Sequence, residues 1–249
     1  MRLLLRSTAA ALCLAVAAAA PARAQSFSDA QRGEIERIIK EYLVAHPEVL
    51  QEAIGELEKR QNAAEAEKQS AGVRQHKEVL FNSAHQVTLG NPQGDVTMVE
   101  FFDYNCGYCK RAMADMLQLL KSDPNLKVVL KEYPVLGPGS LEAAQVAVAA
   151  RMQDKTGKKY LEFHQRLLGA RGPADKTHAL AAAKDAGFDM ARLEKDLASD
   201  EVRETLRENM KVADAIGLNG TPSYVIGSNV VVGAQGYDVL KAKVDAARR

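Results

Sequence analysis

Two cysteines with the spacing C-x-x-C, Cys106 and Cys109, lie in the stretch FFDYNCGYCKRAM, where an apolar run gives way to a helical pattern. A C-x-x-C pair that follows a strand and opens a helix is typical of a redox centre. The unpaired N–H groups and the dipole of a helix N-terminus favour the thiolate form of the first cysteine. We therefore expect Cys106 to be the nucleophile and Cys109 to be the resolving cysteine that closes a disulfide with it.

Other uses of this thiol pair have to be weighed. A structural zinc site needs four ligands, and the five histidines of the chain include no pair three to five residues apart. A static disulfide would close a very small loop, so it would stabilise the fold little through loop-closure entropy. Copper(I) bound by Cys106 and Cys109 stays open, because soft thiolate ligands suit that ion. We expect no other metal and no cofactor.

The first 24 residues have the order of a secretory signal peptide. Arg2 and Arg6 precede an apolar stretch at residues 9–20 and a small-residue site at residues 22–24. A retained membrane anchor would need about 20 apolar residues, richer in Leu, Ile and Val. We expect cleavage before Gln25 and export to the periplasm, a compartment in which disulfides form and persist. The third cysteine of the chain, Cys13, would be removed with this leader.

The charge of the remaining chain excludes some classes of partner. Three of the 33 basic residues lie in the leader, which leaves 30 basic and 32 acidic residues in the rest of the chain. This near balance gives no electrostatic reason to expect binding to nucleic acid or to an anionic membrane surface. The length allows one domain of ordinary size with an appendage.

The appendage is an N-terminal helical segment at residues 25–60. Apolar residues recur at i, i+3, i+4 and i+7 on both sides of His46-Pro47, a spacing that predicts two short amphipathic helices. Fewer than about 40 residues rarely bury a sufficient core alone, so their apolar faces need a partner. We expect self-association, and packing onto the rest of the same chain is the alternative. Residues 61–84 are polar and helix-forming, which predicts a helical linker to a domain at residues 85–249.

The domain begins with a strand, helix and strand. The runs VTL and VTMVEFF precede the helix that opens after Cys106, and LKVVLKEY follows it. This order predicts a βαβ unit with parallel strands and thus an α/β fold. Residues from about 140 to 217 predict helices only. Near the C terminus SYVIG and VVVG predict two more strands, followed by a helix from Tyr237.

The motif VEFFDYNCGYC, followed far downstream by GTPSYVIG, resembles the DsbA-like branch of the thioredoxin superfamily. The resemblance implies a thioredoxin fold with a helical domain inserted at about 140–217, and a thiol-disulfide oxidoreductase. It also implies that Thr221 and a cis-proline, Pro222, lie beside Cys106 and bind substrate together with Tyr108. The backbone beside a proline can pair with an incoming peptide as an added strand.

Two ionisable residues match the same family pattern. The resemblance implies that Glu100 is buried beneath the thiols, where a carboxylate could relay protons to or from Cys109, with Lys131 on the next strand as its partner. The alternative for Glu100 is a polar strand residue or a structural ion pair.

The N-terminal stretch EYLVAHPEVLQEAI is similar to that of ScsC-like proteins. This second resemblance implies a homo-oligomer, commonly a trimer, and a family whose members include disulfide isomerases. Tyr108 stands where strongly oxidising DsbA-like members have histidine, and Thr221 stands where they usually have valine. A less stabilised thiolate makes the disulfide less oxidising, which favours an isomerase or reductase.

The expected function is therefore disulfide isomerisation or reduction in misfolded or disulfide-containing exported proteins. The resemblance implies a membrane redox partner of the DsbD or ScsB type. Two alternatives are kept: a monomeric DsbA-like dithiol oxidase, with a partner of the DsbB type, and a periplasmic copper-binding protein that confers copper tolerance.

Overall fold

The computed structural model describes residues 27–248, so the expected leader at residues 1–24 lies outside the described residues. The chain forms two compact units, one ending at Leu57 and the other beginning at Glu58. The helices and strands are, in chain order, α1 (Asp29–Ala45), α2 (Glu48–Gln75), α3 (Lys77–Phe81), β1 (Val87–Gly90), β2 (Val96–Phe102), α4 (Gly107–Ser122), β3 (Leu126–Glu132), α5 (Pro138–Arg151), α6 (Lys158–Gly169), α7 (Lys176–Asp185), α8 (Met190–Leu197), α9 (Asp200–Ala215), β4 (Ser223–Ile226), β5 (Asn229–Val232) and α10 (Tyr237–Ala247).

The first unit consists of α1 and the beginning of α2. Ser28 and Gln31 form a capping box, in which each side chain accepts the backbone N–H of the other residue. The helices are interrupted at His46-Pro47, as the sequence predicts. Helix α1 buries none of its residues. The large apolar side chains that stay exposed in this unit are Phe27, Ile35, Ile38, Ile39, Tyr42, Val44, Leu50, Ile54 and Leu57.

Helix α2 runs without interruption to Gln75, and its last turns belong to the packing of the second unit. Val73 of α2 and Leu80 of α3 are buried in one cluster with Val99 and Phe101 of β2. Val73 and Leu80 are apolar residues in an otherwise polar stretch, and their burial holds the end of this stretch against the sheet. The end of the segment that the sequence predicts to be a solvated linker therefore packs on the sheet.

The second unit contains a five-stranded sheet in the order β1-β3-β2-β4-β5. Strands β2 and β3 are parallel, as predicted, and β1, β4 and β5 each run antiparallel to a neighbour. One face packs against α4 and α10, and the other packs against α3 and α9. The predicted α/β class and the thioredoxin fold with a helical insertion are confirmed.

The insertion comprises α5 to α9, between β3 and β4. Helix α5 lies at its centre and packs against α7, α8 and α9. Its buried positions are mostly alanine, and such small side chains allow neighbouring helices to approach closely. Among residues 27–248, no helix combines the length and the apolar character that a membrane span needs.

Candidate active site

Cys106 occupies the N-cap of α4, at the end of the loop that follows β2. Its Sγ accepts the backbone N–H of Cys109 at 3.4 Å, and its thiol donates to the carbonyl oxygen of Thr221 at 3.2 Å. Both cysteines are free thiols, with 5% of Cys106 and 1% of Cys109 exposed. The first sulfur thus lies at the N-terminus of α4 and accepts one of the backbone N–H groups of its first turn.

The loop before β4 faces this sulfur. The peptide bond between Thr221 and Pro222 is cis, and the carbonyl of Pro222 accepts the N–H of Gly233 at 2.8 Å. Ser223 holds the loop from the other side, because its hydroxyl donates to the carbonyl of Gly220 at 2.7 Å. Two segments separated by 115 residues therefore meet at Cys106.

Tyr108 lies between the cysteines in sequence and points outward, with 59% of it exposed. The guanidinium carbon of Arg111, one turn later on α4, lies 4.3 Å from the centre of its ring. Such a cation–π contact at an exposed site is worth about 0.5–1 kcal/mol. The ring is therefore exposed to solvent and lies against a positive charge.

The loop between β2 and Cys106 is fixed by the carboxylate of Asp103, which is 1% exposed. Oδ1 accepts the N–H of Asn105 and the hydroxyl of Ser140, both at 2.7 Å. Oδ2 accepts the N–H groups of Val135 and Leu136 at 2.9 and 3.0 Å. The buried Asp103 side chain thus connects the loop before Cys106 with the loop after β3 through hydrogen bonds.

Asn105 extends this network to the helical insertion. Its side-chain amide donates to the carbonyl of Ala174 at 2.8 Å and accepts the N–H of the same residue at 2.7 Å. Neither Asp103 nor Asn105 was predicted from the sequence as a site residue. The available signal was their residue type, because Asp and Asn in a loop commonly bond nearby backbone groups.

A second buried network holds Tyr104, two residues before Cys106. Its hydroxyl lies 3.2 Å from the Tyr160 hydroxyl and 3.3 Å from Nδ1 of His164, and Tyr160 in turn donates to the carboxyl group of Glu132. Burial raises the pKa of Glu132 and lowers the pKa of His164 to about 3. The imidazole of His164 is therefore neutral at physiological pH and serves packing and hydrogen bonding.

Cys109 is buried on the same face of the sheet as Glu100. Burial raises the pKa of the Cys109 thiol, so a base is needed to form its thiolate near neutral pH. Burial, with a smaller contribution from the charge of Asp115, raises the pKa of Glu100 to about 8. One carboxyl oxygen of Glu100 has no hydrogen-bond partner. A carboxyl group that titrates near neutral pH beside a thiol is suited to proton exchange.

Lys131 does not pair with Glu100, and this prediction was wrong. In the parallel ladder Lys131 is aligned with Phe101, whereas Glu100 is aligned with Leu130. Side chains alternate between the faces of a sheet, so this offset of one residue puts the amine on the opposite face. There its charged neighbour is Glu208 of α9, and Nζ has no hydrogen-bond partner.

We expect Lys131→Met to raise the free energy of unfolding at pH 7 by about 2 kcal/mol. Burial lowers the pKa of Lys131 from 10.5 to about 8, so the folded state holds its proton less well than the unfolded state. Wild-type stability should therefore rise between pH 8 and 10.5, where only the unfolded chain still binds this proton. The difference in the free energy of unfolding between the variant and the wild type, measured by urea unfolding, should shrink over the same pH range.

Lys127→Met is the matched control, because Lys127 lies on the same strand but donates to the carbonyl of Phe81 at 2.8 Å. That variant should be less stable than the wild type. Destabilisation by Lys131→Met at pH 7, or a slower disulfide exchange in that variant, would contradict the assignment of Lys131 to the non-catalytic face.

A metal centre is the alternative use of this thiol pair. Within the part of the chain that the structure describes, no group of three or more His, Cys, Asp or Glu side chains could hold a metal ion. The free cysteines at residues 27–248 are Cys106 and Cys109.

Two family models match the chain. The model described as "DSBA-like thioredoxin domain" matches residues 97–245, and the one described as "Copper resistance protein ScsC N-terminal domain" matches residues 31–64. The first match covers more than half of the chain and contains both cysteines and Pro222.

Solved structures agree with these matches. A thioredoxin-like oxidoreductase from Silicibacter pomeroyi is 44% identical, with a TM-score of 0.65 over 69% of this chain and 97% of that one. ScsC from Proteus mirabilis in a transitional conformation is 29% identical, with a TM-score of 0.65 over 90% and 97%. The thiol-disulfide exchange protein alpha-DsbA2 from Wolbachia pipientis is 30% identical, with a TM-score of 0.66 over 72% and 95%.

The first curated relatives are longer proteins. The Na(+)/H(+) antiporter NhaA 1 of Salinispora arenicola is 28% identical over 160 residues, which are 64% of this chain but 24% of the antiporter. The chain thus spans about a quarter of the length of these relatives.

Proposed function

We propose that this chain, which belongs to the DSBA-like thioredoxin domain family of thiol-disulfide oxidoreductases, is an exported disulfide isomerase that can also act as a reductase. The observation that carries the proposal is the position of the Cys106 thiol. It caps α4, is paired with Cys109 one turn away, and faces the carbonyl of Thr221 beside the cis bond to Pro222.

In the proposed reaction the Cys106 thiolate attacks one sulfur of a substrate disulfide. A bond forms between the two sulfurs, the substrate disulfide breaks, and its other sulfur leaves as a thiolate. In isomerisation a substrate thiolate attacks the mixed disulfide and releases Cys106 unchanged. In reduction the Cys109 thiolate attacks Cys106 instead, and the substrate leaves with two thiols while the enzyme keeps the disulfide.

Tyr108, Thr221 and Pro222 form the proposed substrate-binding surface. A proline has no N–H to donate, so the loop edge beside it stays open, and the backbone of Thr221 can pair with an extended substrate segment. The exposed ring of Tyr108 adds apolar contact area next to the sulfur. Recognition of backbone and apolar surface suits an enzyme that acts on many misfolded polypeptides.

Glu100 is proposed to relay protons for Cys109. It lies on the thiol face of the sheet with an unpaired carboxyl oxygen, and its pKa of about 8 allows it to accept or return a proton near neutral pH. Lys131 has no part in this step, because it lies on the other face.

Tyr108→His is expected to raise the reduction potential of the thiol pair by roughly 30 mV or more, equivalent to about 1.4 kcal/mol. A cationic imidazole beside the sulfur would stabilise the reduced, thiolate-bearing form, and this makes the disulfide a stronger oxidant. Equilibration with glutathione buffers measures the potential. Tyr108→Phe keeps a ring beside Arg111 without adding a cation, so it should leave the potential unchanged. An unchanged or lower potential for the histidine variant would contradict the explanation that Tyr108 favours isomerisation or reduction over oxidation.

The N-terminal segment, residues 25–60, is proposed to assemble the chain into a homo-oligomer, with a trimer favoured. Support comes from the exposed apolar side chains of α1 and α2 and from the match of residues 31–64 to the ScsC N-terminal model.

Residues 1–24 are proposed to direct the chain to the periplasm. There a membrane protein of the DsbD or ScsB type would keep the thiols reduced.

The test is the reactivation of scrambled ribonuclease by the full chain, together with the redox state of Cys106 and Cys109 in the exporting cell. An isomerase reactivates ribonuclease and is found mostly reduced. A monomeric dithiol oxidase, the first alternative, would be found mostly oxidised and would introduce disulfides into reduced ribonuclease without correcting wrong ones. A copper-tolerance protein, which the description of the N-terminal model suggests, would bind one Cu(I) per thiol pair and leave scrambled ribonuclease inactive.

A further inference from the structure

Tyr224 is the cross-strand neighbour of Glu100 in the ladder between β4 and β2. Such neighbours have Cβ atoms about 4.5–5.5 Å apart. Tyr224 is fully buried, and its hydroxyl has no hydrogen-bond partner. A buried hydroxyl without a partner destabilises a fold, and phenylalanine would fill the same space without that loss. The charges of Glu100 and of both thiols act on this hydroxyl, so an unpartnered oxygen at this place calls for a functional reason.

Asp115 supplies a second carboxylate on the same side of the sheet. It lies on α4, six residues after Cys109, and is partly exposed, whereas Glu100 is 3% exposed. Its charge acts on both Glu100 and Tyr224. A buried base that takes a proton must pass it on before it can work again, and Asp115 is a carboxylate near this base that also contacts solvent.

Apolar residues of the neighbouring elements pack on this face. Helix α10 packs on β2 and β4 through Leu240 and Val244, which are its buried residues. Strand β3 places Leu130 next to Glu100. The groups that act electrostatically on Tyr224 are the acidic side chains Glu100 and Asp115 and the two thiols.

We propose that the Tyr224 hydroxyl passes protons between the carboxyl groups of Glu100 and Asp115 by way of bridging water, since it makes no direct hydrogen bond with either group, and thereby connects Cys109 with solvent. The inference deepens the proposed function and rests on its thiol chemistry. When Cys109 resolves a mixed disulfide, its S–H bond breaks and the proton goes to the carboxylate of Glu100. The electron pair of the sulfur forms the bond to Cys106, and the substrate sulfur leaves with the pair of the broken bond. Glu100 then returns to the carboxylate form through Tyr224 and Asp115.

The test uses the full chain in its reduced form and dithiobis(nitrobenzoate) as the disulfide. Attack by Cys106 releases the first thionitrobenzoate, and attack by Cys109 on the resulting mixed disulfide releases the second, so the two steps are seen as two phases of absorbance. For Tyr224→Phe we expect an unchanged first phase and a second phase about tenfold slower at pH 7. Its pH profile should also move to higher pH, because more of the proton must be taken directly by hydroxide.

Three controls separate the loss of the relay from a loss of stability and from the loss of a buried hydroxyl elsewhere in the sheet. Tyr224→Phe removes only an unpaired oxygen, so its stability in urea should equal or exceed that of the wild type. Asp115→Asn should slow the second phase in the same way, and Asp115→Glu should restore it. Tyr133→Phe removes a buried hydroxyl on the opposite face, where it donates to the carbonyl of Leu218, and both phases should then keep their rates and pH profiles.

The outcomes separate this inference from the function on which it rests. A second phase that matches the wild type at every pH in Tyr224→Phe and Asp115→Asn overturns the relay and leaves the disulfide chemistry in place. A wild-type chain that releases no second thionitrobenzoate overturns both, since Cys109 then does not resolve the mixed disulfide.

Discussion

Serine in place of Cys106 is expected to abolish both disulfide reduction and the reactivation of scrambled ribonuclease, a fall of about a thousandfold or more, as for the loss of an enzyme nucleophile. The thiolate is the attacking species in exchange, and Cys106 is the sulfur that caps α4 and faces Thr221. Cys109 cannot replace it, because it is 1% exposed and burial raises the pKa of its thiol. Insulin reduction and ribonuclease reactivation measure the two activities.

Cys109→Ser is the control that separates the two thiols. This variant should still attack a substrate disulfide, and it should accumulate as a mixed disulfide that mass spectrometry detects. It should keep part of the isomerase activity, because a thiol of the substrate itself can release Cys106. Retention of more than a tenth of the activity by Cys106→Ser would show that the reaction does not start at this sulfur.

The strand order around the thiols could be predicted from the sequence because its signals are local. The apolar run of β2, the C-x-x-C pair and the periodicity of α4 follow one another within about thirty residues, and β3 returns soon after. A short connection of this kind permits little besides a βαβ unit with parallel strands. The proximity of Pro222 to Cys106 has no such local signal, since 115 residues separate Cys106 from Thr221. It was expected from the family resemblance alone.

Register and long-range hydrogen bonds could not be predicted in this way. Whether Lys131 shares a face with Glu100 depends on how β3 aligns with β2, and an offset of one residue reverses the answer. The role of Asp103 depends on backbone groups more than thirty residues away. These groups approach only when β2 and β3 have paired, so the residue type alone indicates a loop and nothing about its partners.

Removal of residues 25–57 is expected to separate two activities of the chain. Insulin reduction should persist, because both cysteines, the loop at Pro222 and the buried Val73 and Leu80 all lie in the second unit. Reactivation of scrambled ribonuclease should fall about tenfold or more, because several active sites held in one assembly raise the effective concentration of thiols around a bound polypeptide. Light scattering should show the mass of the particle falling from that of an oligomer to that of one chain.

Point variants of the full chain make the same test without a deletion. Ile38→Glu combined with Ile54→Glu places charges on exposed apolar positions of α1 and α2, so burial of these positions between copies becomes unfavourable. Lys40→Glu changes the charge of α1 at an exposed polar position and should leave the oligomer and both activities intact. If the double variant or the shortened chain remains an oligomer, the apolar faces do not form the interface. If either becomes monomeric and still isomerises at the wild-type rate, one active site is sufficient, and assembly serves another purpose than holding several thiol pairs around one substrate.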